Sequence, residues 1–424
     1  MDEKKRIALI TNWYPTKENP YQGLFFKEQA FILEGKIDFS IIHITEHKKC
    51  TLIQYVFLYI LKRTIKVKKI NEEKNTEEYS VDIYYTIYVL LADILRNAYE
   101  KYVKHTSVEG VGRYVSKFYT KIKKKKLNRI FKKILLIKID LLYAISAQTE
   151  SSTLQYISEI IKKPYMVAEH APFPWPGSVL TNIERNAIMN ADLFLAISYD
   201  KIRQVMAQNI QLKRVKYIGN MVDETKFYIT GKKHGTKTFI TVAAHSFYKN
   251  YPLLIKIFET LDEITSEDFR VMIVGYQANK GYSKNVEEFE KQIYRSNLRK
   301  RFILIPEVNH DDMNDIYNKA DAFVMTSIQE GMPVSALEAA CCGLPIFTTM
   351  CGGVEDYINE EIGRIYRIID YKGFAIGLRD FLEKKVIFEP EYIRRYIVSK
   401  FGKDAFAHNM MESVECLTEG NFNS

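Results

Sequence analysis

Short apolar runs alternate with amphipathic stretches along most of the chain. Residues 7–11 (Ile-Ala-Leu-Ile-Thr) form one such run, closed by Asn12. A run this short, with no polar alternation, predicts a strand buried on both faces of a parallel sheet. A loop containing Pro15, Pro20 and Gly23 follows, then helical spacing over 25–33 and a second apolar run over 37–44. Strand, loop, helix, strand at this pace predicts a βαβ unit.

The rhythm resumes after Pro164. Strands are predicted at 165–168, running into Glu169-His170, then at 192–197 and 215–218. Ser198 is placed to cap the helix after the second of these. A polar bridge, Gly231-Lys232-Lys233-His234-Gly235, interrupts the pattern and marks a domain boundary. A second series follows at 239–243, 270–274, 302–305, 322–325 and 345–348, and the chain closes with helical patterns at 391–400 and 404–417. The pattern predicts an α/β protein of two Rossmann-like domains, 1–230 and 236–395, whose strand ends face a shared cleft.

Residues 50–140 depart from this scheme. Helical patterns at 52–61, 84–95 and 117–139 flank a polar stretch at 71–78. The last pattern is strongly basic: Lys121, Lys123, Lys124, Lys125, Lys126, Arg129, Lys132 and Lys133 interleave with Leu127, Ile130, Phe131, Ile134 and Leu135. Such a basic amphipathic helix suits an anionic membrane surface or an acidic acceptor, and equally a solvated helix packed on its own domain.

Composition narrows the classes. The chain has 424 residues, 47% hydrophobic and 27% charged, which excludes a disordered or fibrous protein. The formal net charge is +9, yet residues 101–140 alone carry 13 Lys/Arg against 2 Asp/Glu, so the rest is near neutral. One basic segment on a neutral body, without a nucleic-acid motif, argues against nucleic acid as a partner. The five cysteines form no CxxC pair and no zinc spacing, consistent with a reducing cytoplasm. The greasy stretches at 52–61 and 84–95 are interrupted by Gln54 and Asp93. Both are shorter than the roughly 18 residues of a spanning helix. A soluble or peripheral protein is expected.

The chemistry concentrates at Glu330-Gly331-Met332-Pro333-Val334-Ser335-Ala336-Leu337-Glu338, directly after the 322–325 strand. Pro333 suits the first turn of a helix, and Gly343 its C-terminal cap. The free amides of Val334 and Ser335 then offer an anion site at the positive end of the helix dipole. Eight residues at helical rise span about 12 Å, so Glu330 and Glu338 could hold hydroxyls at the two ends of a nucleotide sugar around that anion site. On spacing alone, two surface glutamates explain the pattern as well.

Glu330 and Glu338 with the intervening Gly331-Met332-Pro333 resemble the E-x7-E motif of retaining glycosyltransferase family 4, of the bacterial capsule, exopolysaccharide or O-antigen type. The resemblance covers nearly the whole chain. Tyr14-Pro15 through Gly23 to Gln29 is similar to the family's first loop and helix, and Glu169-His170 to its active-site histidine. Gly219-Asn220-Met221-Val222-Asp223 with Phe227 is similar to its pre-linker segment, Lys249-Asn250 to its phosphate-binding lysine, and Gly352-Gly353-Val354-Glu355-Asp356 to its G-G-x-x-E loop.

The resemblance implies a GT-B fold, with a final segment, 396–424, crossing back to the N-terminal domain. It implies that Glu338 binds the ribose and Glu330 the transferred sugar. Lys249 neutralises the leaving diphosphate, and Gly23, Gly352 and Gly353 admit close backbone approach. His170 lies near the reacting carbon, and Val308 beside the base. The implied reaction is metal-independent transfer from a nucleotide-diphosphate sugar to a lipid-linked or polysaccharide acceptor. It needs no cofactor and takes place in the cytoplasm or at the inner membrane face. His310-Asp311-Asp312 precedes a helix and reads as a cap rather than a metal site.

Three departures stand out. Ala244 occupies a position where the family usually has arginine, with His245 beside it as a weaker substitute. The first loop carries a single Gly23 where a double glycine is common, and Met221 also replaces a usual glycine. Alternatives on the same fold are a nucleotide-sugar epimerase or hydrolase, or a non-catalytic nucleotide-binding protein.

Overall fold

The computed structural model describes residues 4–11, 23–33, 35–47, 56, 65–73, 76–84, 127–129, 131, 139–175, 178–231, 235–278 and 283–419. Two sheets organise them. The first comprises β1 (Lys5–Thr11), β2 (Ile37–His47), β3 (Ile65–Glu73), β4 (Thr76–Tyr84), β5 (Leu141–Ala144), β6 (Tyr165–Ala168), β7 (Leu193–Ala196) and β8 (Val215–Tyr217). Their order is β3-β4-β2-β1-β5-β6-β7-β8. All neighbours are parallel except the β3–β4 pair. The second comprises β9 (Lys237–Val242), β10 (Phe269–Val274), β11 (Phe302–Ile305), β12 (Ala322–Met325), β13 (Ile346–Thr349) and β14 (Gly363–Tyr366), ordered β11-β10-β9-β12-β13-β14 and parallel throughout.

The apolar runs become central strands because each is covered on both faces. Ala8 and Ile10 join one core cluster, while Ile7 and Leu9 join another on the opposite side of the sheet. That alternation is the two-residue period of a strand with two buried faces.

Within 50–140, the helical patterns expected at 52–61, 84–95 and 117–139 lie mostly outside the described residues, and the described residues 56, 127–129 and 131 are helical; the polar stretch at 71–78 is what differs from the expectation. The strands at 65–73 and 76–84 pair antiparallel and extend the first sheet at its edge, and the described residues of the polar stretch lie in them. Thr76, Glu78, Val81 and Ile83 are buried against the domain, while Lys66, Lys68 and Lys69 face solvent. An edge strand is half exposed, so its polar residues obscure the apolar signal. Of the basic run, only Arg129 is described; it is exposed. Lys121, Lys123, Lys124, Lys125, Lys126, Lys132 and Lys133 lie outside the described residues. Leu127 and Phe131 are fully buried in the N-terminal core.

The helix Pro390–Phe401 places Ile393, Ile397 and Phe401 in the C-terminal core. The next helix, Lys403–Thr418, buries Phe406, Ala407, Met410 and Val414 in the N-terminal core. The chain therefore recrosses at Gly402, later than residue 396. Among the described residues no helix is long and apolar enough to span a membrane.

Candidate active site

The helix Val334–Cys341 supplies the centre of the site. Pro333 occupies its N-cap, one place before the expected first-turn position. Gly343, at φ +81°, closes its C-terminal end, where the Cys342, Gly343 and Leu344 amides donate to the Glu338, Ala340 and Ala339 carbonyls. Ala336, Leu337, Ala339 and Ala340 are buried, and Glu338 is buried among them at 6% exposure. A carboxylate in that position needs partners. His310 Nε2 lies 3.0 Å from Oε1, and the Tyr317 hydroxyl donates to Oε2 at 2.8 Å. Phe227 meets both rings edge-on. The hydrogen bond to Glu338 raises the His310 pKa, against the opposing effect of burial.

His310 and Tyr317 were not among the residues the motifs single out. Of the expected cap His310-Asp311-Asp312, Asp312 takes the N-cap position of the helix Met313–Tyr317 without a side-chain bond, while Asn309 caps the preceding short turn, its side chain accepting from the Asp311 amide. The only available signal was the proximity of a histidine to the end of β11.

Lys249 reaches the same site from the turn after β9. Its carbonyl accepts from the Thr326 hydroxyl at 3.1 Å, and its Nζ pairs with Glu330 Oε1 at 2.6 Å. The pair is partly shielded. Gly352 and Gly353 line the wall behind Glu330. A Cβ on Gly353 would stand 2.1 Å from the Gly331 carbonyl oxygen, and one on Gly352 would stand 2.9 Å from that of Glu330. The two glycines therefore let the loop lie against the Glu330–Gly331 backbone.

The N-terminal domain closes the other side. A Cβ on Gly331 would meet the His170 carbonyl oxygen at 2.8 Å, so the two segments are in direct contact. The Asn220 side chain donates to the Met332 carbonyl at 2.7 Å. His170 follows β6 and meets Phe26 edge-on. Burial, reinforced by Lys201, lowers its pKa to about 3, so the ring is neutral at physiological pH.

Beneath it lies a polar network. Glu169 is fully buried, and its oxygens accept from the Ser146 hydroxyl and the Gln148 and Ala171 amides. Lys201 is fully buried too; its ammonium donates to the Ala171 carbonyl and to Gln204 Oε1. Burial lowers its pKa to about 8, with Glu169 opposing that shift, while burial raises the pKa of Glu169.

The structure thus brings together His170, Lys249, Glu330, Gly331, Met332, Gly352 and Gly353, with Val334 and Ser335 half-buried at the helix entrance and Glu338 deeper in it. Gly23 contributes indirectly: at φ +69° it starts the helix Leu24–Ile32 that carries Phe26 to His170. His245 stacks on Tyr251 at 5.2 Å, and burial lowers its pKa, which disfavours the cationic form an arginine substitute would need. Val308 packs on the C-terminal core, and the preceding Pro306 carbonyl already accepts from the Gln277 amide.

Residues 222–397 match the family profile described as "Glycosyl transferases group 1". The chain is similar to one subunit of the human phosphatidylinositol N-acetylglucosaminyltransferase, with 26% identity over 189 residues, which is 44% of this chain and 38% of that protein. It is also similar to the lipopolysaccharide 1,6-galactosyltransferase of Escherichia coli K12, with 24% identity over 52% of this chain and 61% of that one. These alignments span less than two thirds of either relative. Among solved structures, sucrose-phosphate synthase from Thermosynechococcus elongatus superposes with a TM-score of 0.68, covering 99% of this chain and all of that one at 12% identity. This likeness shows the fold: a GT-B arrangement of two facing Rossmann-like domains.

Proposed function

We propose that this chain is a glycosyltransferase that moves a sugar, with retention, from a nucleotide-diphosphate donor to a lipid-linked or growing surface-polysaccharide acceptor. The observation that carries the reading is the Lys249–Glu330 pair, set against the His170 segment at the mouth of the helix that buries Glu338. The family profile over 222–397 supports it. The names of the two relatives, which refer to phosphatidylinositol and to lipopolysaccharide, support a lipid-bearing acceptor.

In this reading Glu338 accepts hydrogen bonds from the ribose hydroxyls while Tyr317 and His310 hold it in place. Lys249 releases Glu330 to the sugar hydroxyls and neutralises the diphosphate, an attraction that grows as the leaving group gains charge. The neutral His170 hydrogen-bonds the sugar near its reacting carbon. The bond from the anomeric carbon to the diphosphate breaks as the acceptor oxygen bonds on the same face, and the acceptor proton passes to the leaving phosphate oxygen. No carboxylate nucleophile and no metal ion are assigned, so turnover is expected to persist in excess EDTA. The site faces the cytoplasm. The basic segment around Arg129 holds the protein to the anionic inner face of the membrane by charge, and charge reversal there should abolish co-sedimentation with anionic vesicles.

The first test is a thermal-shift screen against UDP, GDP, ADP and their common sugars, since a ligand of the native state raises the melting temperature. A shift confined to one nucleotide family and lost in Glu338→Ala is the expected result. Sugar transfer that is unchanged in both Glu338→Ala and Lys249→Ala would overturn the site. Ala244 favours a second reading, a non-catalytic nucleotide binder, because the site lacks the arginine usual there. Tight nucleotide binding without turnover on any acceptor would select it.

A further inference from the structure

The loop leaving His170 is fixed by side chains from three elements. The Ala171 amide donates to Glu169, and the Ala171 carbonyl accepts from Lys201. The Phe173 amide donates to Gln204 Oε1 at 3.1 Å, and the Trp175 amide donates to Gln148 Oε1 at 2.8 Å. Gln148 also donates to the Ser178 hydroxyl, which in turn donates to the Trp175 carbonyl. Phe173 is buried in the N-terminal core. Residues 171, 173, 175 and 178 are thus each held by hydrogen bonds, most of them partly shielded from solvent, which fixes the backbone on which Trp175 sits.

Yet this mount displays apolar surface. Trp175 is 46% exposed and Val179 83% exposed. The loop starts at the C-terminal end of β6, and Gln148, at the start of the helix after β5, holds it over that edge. Ligands of open α/β sheets bind at that edge, here at the loop that leaves His170, whose carbonyl faces Gly331.

We infer that Trp175 is the stacking platform for a sugar ring of the acceptor, held at a fixed distance from His170 by the Glu169–Lys201–Gln204–Gln148 network. A pyranose presents one face of C–H bonds with hydroxyls around its rim, and an indole with a wet edge matches it. Trp offers that area at little entropy loss, and a pre-fixed loop removes the ordering cost that weakens binding by mobile surfaces. A membrane anchor would need no such fixed mount. The inference rests on the transferase reading for the word acceptor, but the sugar contact can be tested without it.

The chain has two tryptophans, so Trp13→Phe leaves Trp175 as the sole indole emitter. This variant is titrated, below micelle formation, with octyl glycosides of glucose, galactose, mannose and N-acetylglucosamine, and with an octyl oligoethylene glycol ether of equal tail length. The expected result is a saturable emission change with at least one glycoside and none with the ether. No response to any glycoside, or an equal response to the ether, overturns the platform. In parallel the same protein is screened with nucleotides. Nucleotide shifts without a glycoside response sink the platform alone. A glycoside response with no nucleotide shift sinks the transferase reading and leaves a sugar site. With an active donor and glycoside in hand, Trp175→Ala should raise the acceptor KM about tenfold or more, as for an aromatic contact worth over 1.4 kcal/mol. Trp175→Phe should recover part of the loss. An unchanged acceptor KM in Trp175→Ala would also overturn it.

Discussion

Glu338 has a partner on each of its two oxygens, and those partners decide what it can do. Tyr317 lies fully buried with its hydroxyl on Oε2. Tyr317→Phe removes that donor and leaves a buried carboxylate oxygen unpaired, at a cost of about 1–3 kcal/mol. Chemical denaturation should register the loss, and nucleotide thermal shifts should shrink with it. Full stability in the variant would mean the bond contributes nothing. His310 adds a pH dependence. The groups acting on it are Glu338, Glu28 and Lys226, and its pKa is raised from the ordinary 6.5. The folded state therefore holds this proton more tightly than the unfolded chain does. The stabilisation is fully present below 6.5 and is lost as pH rises through the raised folded value. The unfolding free energies of the wild type and His310→Gln should differ more at pH 6 than at pH 9. His170 acts in the opposite sense: with its pKa lowered to about 3, it withdraws stability as pH falls below 6.5. An equal difference at both pH values would remove His310 from the account.

Elements built of short buried strands were legible in the sequence, because parallel strands covered on both faces contain little but apolar residues. β11 and β12 fall on the expected positions, and β9, β10 and β13 within two residues of them. The β3–β4 hairpin was not legible. Its charged face and the polar residues at 71–73 and 76–78 resemble a loop, and only pairing of the two strands with each other and of β4 with β2 gives those residues their role. β5 was also hidden, because the apolar residues preceding 141 merge with it into one helical-looking run. In the candidate site, the grouping of the motif glutamates, Lys249 and His170 could be expected from spacing and resemblance. Their partners could not: Tyr317 lies 21 positions from Glu338, and Asn220 lies 112 from Met332. The loop at 352–353 shows the value of a readable element. Gly353 combines φ +72° with a Cβ position inside the Gly331 backbone. Gly353→Ala must move the loop away from Glu330, with about 1–2 kcal/mol of left-handed strain plus the clash. Donor affinity should fall at least tenfold while the far-UV circular dichroism is unchanged; unaltered affinity would show that the loop does not border the donor.

At the scale of the whole molecule, the two domains are tied by more than the cleft. The chain crosses between them near residues 218–236 and again at Gly402. Arg394 braces the crossing by donating to the Glu224, Phe227 and Cys341 carbonyls. Lys403 pairs with Asp223 at 2.9 Å, and Lys226 with Glu28 at 2.6 Å. The final helix then completes a core whose other members run from Ile7 to Met221. Phe406 and Met410 close a cavity of about 10 Å³ that Leu9, Phe26, Leu33, Phe39 and Tyr143 line, room for no more than one water. Phe26 in that lining is also the residue that meets His170 edge-on. The last helix thus supports His170 through one intervening ring. Phe406→Ala would enlarge the cavity and cost about 3–5 kcal/mol. That loss should appear as an earlier unfolding transition of the N-terminal domain, with the C-terminal transition, and hence nucleotide protection at Glu338, left in place. Hydrogen exchange would locate the change, with faster exchange expected in β1, β5 and the helix Leu24–Ile32. Faster exchange confined to residues 237–366 instead would mean that the C-terminal helix belongs energetically to the other domain.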